Sequence, residues 1–516
     1  EPVLEVRQLA AGEKLAGVDL ILRPGEIHGV AALQGMGQLD LFSACFGALP
    51  VKGGTILIDG QDVYLASPAD ALSPSIGIGF VPEDRKTEGL FLKLNGTANA
   101  SLPVVDQFSH YGLLDLKAER AATRAVFDAV EVADRALYMA AGSFSGGNQQ
   151  KIAISKWFLA QSRILLLFDP TRGIDVGTKQ QLYVLMRKFT DAGGAILFHS
   201  TEVPELVHLC DRVSVLYEGR IALRLQADEI SETAIMEAPA HFRLPCQFTR
   251  EDAGMSVTLS TEALDNGANR SIPNVLGRSL GRARGMVVAI VVFFGLMLLQ
   301  AFISPGPISY FDVSFLISGA TPLALAAFGQ TLVILSGGFD LSAGAVISLV
   351  NAVLAANMDP ADMEASVLLW TLVGIATGMG VGAFNGLFIA VFRLQPIVVT
   401  LSTMFIIQGL TLLVLDQPGG FVSPSLGTFY MGDAIPEILP SALLLLAALV
   451  LGWGWLKRTP YGVALYAVGS DRASAAAVGV RVTLVRFATY VLAGGMYGMA
   501  GVFVSAQTGS GDPTVG

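Results

Sequence analysis

From Met286 onward the chain is apolar almost to its end, which bars half of the polypeptide from an ordinary water-facing fold. A helix crosses the hydrocarbon core of a bilayer with about 20 mostly apolar residues. Runs of that order lie at Met286–Ile303, Val313–Leu335, Leu341–Asn357, Val367–Phe392, Pro396–Leu415, Ile438–Leu456 and Val485–Ala506. The third is short and reads as a broken or re-entrant segment. The competing reading is a soluble helical core, but seven such runs in series would leave it no amphipathic faces to turn to water. Glycines recur in these runs, among them Gly374, Gly378, Gly380, Gly382 and Gly386, and small residues let helices approach closely in lipid. The loop charges alternate. Arg278, Arg282 and Arg284, then Arg393, then Lys457, Arg458, Arg472, Arg481 and Arg486 fall on one side. The opposite loops carry Asp312, then Asp359, Asp362 and Glu364, then Asp416, Asp433 and Glu437. The positive-inside rule puts the basic loops, and the polar N-terminal half with them, in the cytoplasm.

Only 15% of the 516 residues are charged, against about 25% in soluble domains, and the deficit lies in the second half. The formal net charge of −10 argues against nucleic acid as a partner. Cys45, Cys210 and Cys246 show neither a CxxC pair nor metal-ligand spacing, so they read as packing residues in a reducing compartment, and no metal site is expected. No secretory signal precedes the first half. A start at Glu1 without methionine and an end in a Gly-rich stretch at Gly516 read as a piece of something longer.

The first half alternates strand-length apolar runs with helical patterns. Strands are expected at 3–6, 26–31, 55–60, 164–168 and 195–198, and helices at 39–47 and 179–192. Such alternation predicts an α/β domain with a largely parallel core sheet. Residues 246–284 are polar and broken by Asn266-Gly267 and Ile272-Pro273, as in a linker with an Arg-bearing end.

Ser145-Gly146-Gly147-Asn148-Gln149 puts glycines at the start of a helix, where free N–H groups and the positive helix end suit a phosphate. A helix cap is the plain alternative. An apolar helix follows, then the buried strand, then Asp169-Pro170-Thr171-Arg172-Gly173-Ile174-Asp175. With Pro82-Glu83-Asp84-Arg85-Lys86, this order resembles the ATP-binding-cassette (ABC) ATPases, in particular the second cassette of ribose-type, simple-sugar importers. Ser336-Gly337-Gly338-Phe339-Asp340-Leu341-Ser342-Ala343-Gly344 and Ala467-Val468-Gly469-Ser470-Asp471 resemble the permease of the same importers. The resemblance implies a P-loop NTPase-like α/β cassette over 1–245, a linker over 246–284 and an all-α polytopic permease over 285–516, with about seven spans and a truncated C-terminal end.

The departures from the family pattern are informative. A phosphate loop needs backbone amides, a lysine and a hydroxyl for Mg²⁺. The matching stretch is Ala32-Leu33-Gln34-Gly35-Met36-Gly37-Gln38-Leu39, in which Gln38 replaces the lysine and Leu39 the hydroxyl residue. The acidic pair becomes Phe168-Asp169, leaving Asp169 as the candidate catalytic carboxylate, or in another register the metal-side one. Thr201 stands at the switch position, with His199 two places early. Hydrolysis at this cassette's own site, built from Gly35, Gly37, Gln38 and Glu83, is therefore expected to be poor. Glu83 matches a position that in cassettes touches metal and the membrane partner; a solvated loop charge is the alternative. Arg85 and Lys86 read either as phosphate-facing or as surface ion-pair residues.

By resemblance, the intact signature Ser145, Gly146, Gly147, Asn148 and Gln149 would serve ATP held by a partner cassette, which would also hold most of the Mg²⁺. Asp471, Arg472 and Gly479 would frame a coupling helix near 473–477 that docks on the cassette, with Arg472 and Arg481 pairing to its acidic residues. Asp340 reads as the cap of a helix beginning at Leu341 rather than as an intramembrane functional carboxylate. Gln330, Asn351, Asn385, Gln395 and Gln408 are polar groups in apolar surroundings, most of them expected to bond across helices. The whole implies a monosaccharide importer of the bacterial inner membrane, with the cassette cytoplasmic. Its partners would be a second cassette, a second permease subunit, a periplasmic sugar-binding protein and membrane lipid. The alternative is a catalytically dead cassette that only scaffolds the permease.

Overall fold

The computed structural model describes residues 1–241, 275–303 and 309–516. The polar half builds two sheets. The larger has six strands in the order Arg220–Gln226, Arg212–Tyr217, Ile27–Ala32, Ala195–His199, Ile164–Phe168, Ile78–Val81. All neighbours run parallel except the first pair. Helices cover its faces, so central strands such as Ile164–Phe168 are buried along their whole length and read as unbroken apolar runs. The smaller sheet is antiparallel, in the order Leu15–Leu22, Leu4–Ala11, Val51–Ile58, Gln61–Val63. The expected helices appear as Gln38–Cys45 and Val176–Asp191. Cys45 and Cys210 are free thiols buried in this core.

The second half is helical. Tyr310–Leu335, Val367–Val391, Pro396–Val414 and Val482–Thr508 are each long and apolar enough to cross a membrane. Ser441–Leu456 passes the same test only together with Pro460–Ser470, from which it is bent by 78°. Ala343–Asn357 is apolar but shorter, as expected of the third segment, and Val287–Leu299 is an apolar stretch within the helix Val275–Ile303. Residues 275–284, read from sequence as linker, already belong to the helix Val275–Ile303; 246–274 lie outside the described residues.

A glycine seam joins Val367–Gly386 to Val482–Thr508. A Cβ on Gly378 would collide with the carbonyl of Gly494, one on Gly494 with the carbonyl of Gly378, and one on Gly498 with the carbonyl of Gly374. Such backbone-to-backbone approach supplies the packing that lipid, being as apolar as leucine, cannot drive.

Candidate functional site

The glycine loop lies at the end of Ile27–Ala32 and leads into Gln38–Cys45. Gly35 and Gly37 have φ of +86° and +101°, left-handed values that a side chain would strain. They border an open cleft of about 760 Å³, also lined by Gln38, Glu83, Asp169 and Thr201. Gln38 is 6% exposed. Its Nε2 donates to Leu33 O at 3.1 Å, so the amide closes the loop on itself. Its Oε1 has no partner, and such an orphaned buried acceptor costs about 1–3 kcal/mol.

Asp169 stands at the end of the buried strand with φ +49°, a conformation aspartate tolerates better than most residues. It is buried, and Oδ2 accepts from Thr201 Oγ1 at 2.9 Å. Phe168 stacks on His199, with ring centroids 4.6 Å apart. Nδ1 of His199 is 2.8 Å from Val30 O, and burial lowers its pKa. It is a strand-end packing residue, while Thr201 is the group that meets Asp169.

The signature turn is elsewhere on the cassette and does not line this cleft. Ser145 is the N-cap of Gly146–Leu159, exposed, and its Oγ accepts from Asn148 Nδ2 at 3.1 Å. Gln149 points inward and donates to Phe144 O at 3.0 Å, so its amide holds the turn and does not face a ligand across the surface, contrary to the role the motif implied. The glycines are there for room. A Cβ on Gly146 would come 2.6 Å from Arg85 Nη2, and one on Gly147 2.5 Å from Thr178 Oγ1.

Arg85 is thus neither phosphate-facing nor in a surface ion pair. It is buried and donates to Arg172 O at 3.0 Å and Gly173 O at 3.3 Å, tying the signature turn to the loop after the buried strand. Glu83 pairs with Arg172. Lys156, deep in the signature helix, donates to Gly89 O, and burial pushes its ammonium down to about 7.

The π-turn Arg85–Gly89 also meets the membrane half. A short helix, Arg472–Ala477, begins at Asp471, whose Oδ1 accepts from Ser474 N at 2.7 Å. Ser474 Oγ contacts Thr87 O at 2.7 Å. A Cβ on Gly479, at φ +85°, would lie 3.2 Å from Leu72 Cδ1 of the cassette. Ala475 and Val478 join the cassette's own core. Thr87, not Glu83, therefore makes the contact expected four residues earlier. Arg472 does not pair with a cassette acid; it donates to Gly337 O within the membrane half at 3.1 Å. Arg481 forms no ion pair among the described residues. Burial, then Asp84 and Asp471, raise the Glu88 pKa at this junction. A second contact had no sequence signal: Leu114 N donates to Arg458 O at 2.9 Å.

In the membrane half Asp340 Oδ1 accepts from Ser342 N and Oγ at 2.9 and 2.6 Å. The helix starts at Ala343 with Ser342 as N-cap, so Asp340 braces the approach to it and does not cap at Leu341. Asn385 joins this group by donating to Ser342 Oγ at 2.9 Å and accepting from Thr403 Oγ1 at 2.6 Å. Gln330 accepts from Tyr497 Oη at 3.0 Å, and Asn351 donates to Ser505 Oγ at 3.0 Å. These three bond across helices.

Comparison with known proteins agrees with both halves. Residues 15–172 match the family model described as ABC transporter, and 313–516 that described as branched-chain amino acid transport system / permease component. "Ribose import ATP-binding protein RbsA 1" of Rhizobium johnstonii is 46% identical over 237 residues, covering 46% of this chain and 46% of that protein. "Ribose import ATP-binding protein RbsA" of Yersinia pestis is 42% identical over 233 residues, covering 45% and 46%. The chain spans about half the length of the curated relatives it matches. A solved ATP-binding cassette in its ADP conformation aligns with a TM-score of 0.41 at 14% identity, covering 46% of this chain and 99% of that one. One chain thus joins a first half similar to ABC-transporter cassettes and a second half similar to transport-system permease components.

Proposed function

We propose that this chain is one component of an ATP-driven importer of a monosaccharide across the bacterial inner membrane, with its cassette in the cytoplasm. Residues 1–245 act as the cassette, 246–284 as the joint and 285–516 as the permease that forms the path. A partner cassette supplies a phosphate loop with its own lysine and most of the Mg²⁺ contacts. Ser145, Gly146, Gly147 and Asn148 reach the triphosphate across that interface. A second permease unit and a periplasmic binding protein complete the assembly. The relatives named for ribose import support a sugar as cargo.

The observation that carries this reading is the junction at Arg85–Gly89. Arg85 touches the signature turn at one end of this segment, and Thr87 touches the helix Arg472–Ala477 at the other. A shift of the signature on ATP closure therefore has a short, packed route to the membrane helices. The test is reconstitution with an intact partner cassette. ATP turnover and sugar uptake are both expected to rise with the partner and to be lost on Ser145→Arg.

Gln38 and Phe168 favour a second reading, a cassette that only scaffolds the permease. No dependence of turnover on Ser145 would establish that reading over the composite site.

A further inference from the structure

The glycine loop has lost its own lysine, yet another lysine stands over it. Lys14 lies in the turn between Leu4–Ala11 and Leu15–Leu22. A Cβ on Gly35 would sit 3.0 Å from Lys14 Nζ, and one on Gly37 3.5 Å from Lys14 Cβ. The turn is held in place from two directions. Gly219 N donates to Met36 O, and Gly219 O accepts from Ala16 N, both at 3.0 Å, so one residue clamps the loop to the strand that follows Lys14. Only glycine fits there, because a Cβ would collide with Lys14 O. On the other side, Lys14 N donates to Asp40 Oδ2 at 3.4 Å, in the first turn of the helix that the loop enters.

The side chain is exposed, and among the described residues Lys14 forms no ion pair. The carboxylates on the cleft walls are mostly engaged: Glu83 by Arg172, Asp169 by Thr201 and Asp40 by the Lys14 amide. Glu13 is the remaining acid. Independently, the buried Oε1 of Gln38 in the same cleft has no partner. An orphaned buried acceptor of this kind calls for an explanation, and a cation arriving at the loop is one.

We propose that Lys14, from outside the glycine loop, is the cation that holds the phosphates of a nucleoside triphosphate in this cleft. The loop contributes backbone amides at Gly35 and Gly37 and the start of the helix behind them. Lys14 contributes the charge that Gln38 cannot. This inference rests on the cassette reading of the first half but not on the signature acting across an interface.

Titration calorimetry on the full chain in detergent, with no partner cassette, tests it. The measurement is made in a Ser145→Arg background, so that two copies cannot form a composite site. MgATP and inorganic tripolyphosphate are expected to bind competitively, and adenosine to compete poorly. Lys14→Ala and Lys14→Gln should weaken MgATP binding at least tenfold, Lys14→Arg should retain it, and Gln38→Lys should restore it to Lys14→Ala. Unchanged binding in Lys14→Ala would overturn the proposal. So would a chain that binds no MgATP, or adenosine competing as well as ATP. Because no partner cassette is present, these outcomes stand apart from success or failure of the trans site.

Discussion

Burying an ammonium disfavours its charged form, and Lys156 is buried in the last turn of the signature helix, where its pKa falls to about 7. An unfolded lysine titrates near 10.4. Between those values the unfolded chain binds the extra proton, so stability rises with pH across this window. The thermal midpoint of the cassette is expected to climb from pH 7 to pH 9. Lys156→Met should flatten that slope, and equal slopes in the two proteins would refute the account. Gly147 is subject to a steric limit. Its missing Cβ would lie 2.5 Å from Thr178 Oγ1, and that hydroxyl donates to Asp175 Oδ2 at 2.8 Å. Gly147→Ala is expected to cost about 1–3 kcal/mol through overpacking. Denaturant titration measures the loss, and adding Thr178→Ala should recover part of it.

Among the elements, the short helix Arg472–Ala477 is held to the π-turn by the Ser474 hydroxyl, while the Ser474 backbone N–H bonds Asp471 at the helix N-terminus. Ser474→Ala should leave the chain folded, at a cost of about 0.5–1.5 kcal/mol, and lower uptake more than ATP turnover. Equal loss of the two would place Ser474 in assembly and not in coupling. The seam between Val367–Gly386 and Val482–Thr508 has no room at Gly378, so Gly378→Leu is expected to abolish monodisperse protein in size-exclusion chromatography. Elements of this kind were legible in sequence wherever a local pattern dictates them. The strand Ile164–Phe168 has the bounds that its apolar run predicts, and the helix after Asp471 starts within one residue of expectation. What escaped was tertiary. Arg85 bonds carbonyls 87 and 88 positions away, Gln149 turns inward, and Arg472 finds Gly337 within its own half. No motif encodes those partners, because side chains of this length satisfy whichever carbonyl the fold brings near. Lys14 escaped for the same reason: its value depends on Gly219, which comes over 200 residues later.

On the scale of the whole molecule, the alternation of loop charge predicts a sidedness that chemistry can read. In sealed cells carrying Cys246→Ser, a membrane-impermeant thiol reagent should label Asp362→Cys at once and Arg393→Cys only after permeabilisation, with Cys45 and Cys210 protected by burial. The reverse pattern would invert the chain in the membrane. The fusion itself has a further effect at the junction with Arg472–Ala477. Two domains on one polypeptide meet at a local concentration set by their tether, commonly in the millimolar range for short flexible ones, not by cellular abundance. The junction, where Ser474 meets Thr87, Arg458 meets Leu114, and Ala475 and Val478 enter the cassette core, then stays engaged at any expression level. Rival permeases in the same membrane cannot draw this cassette away.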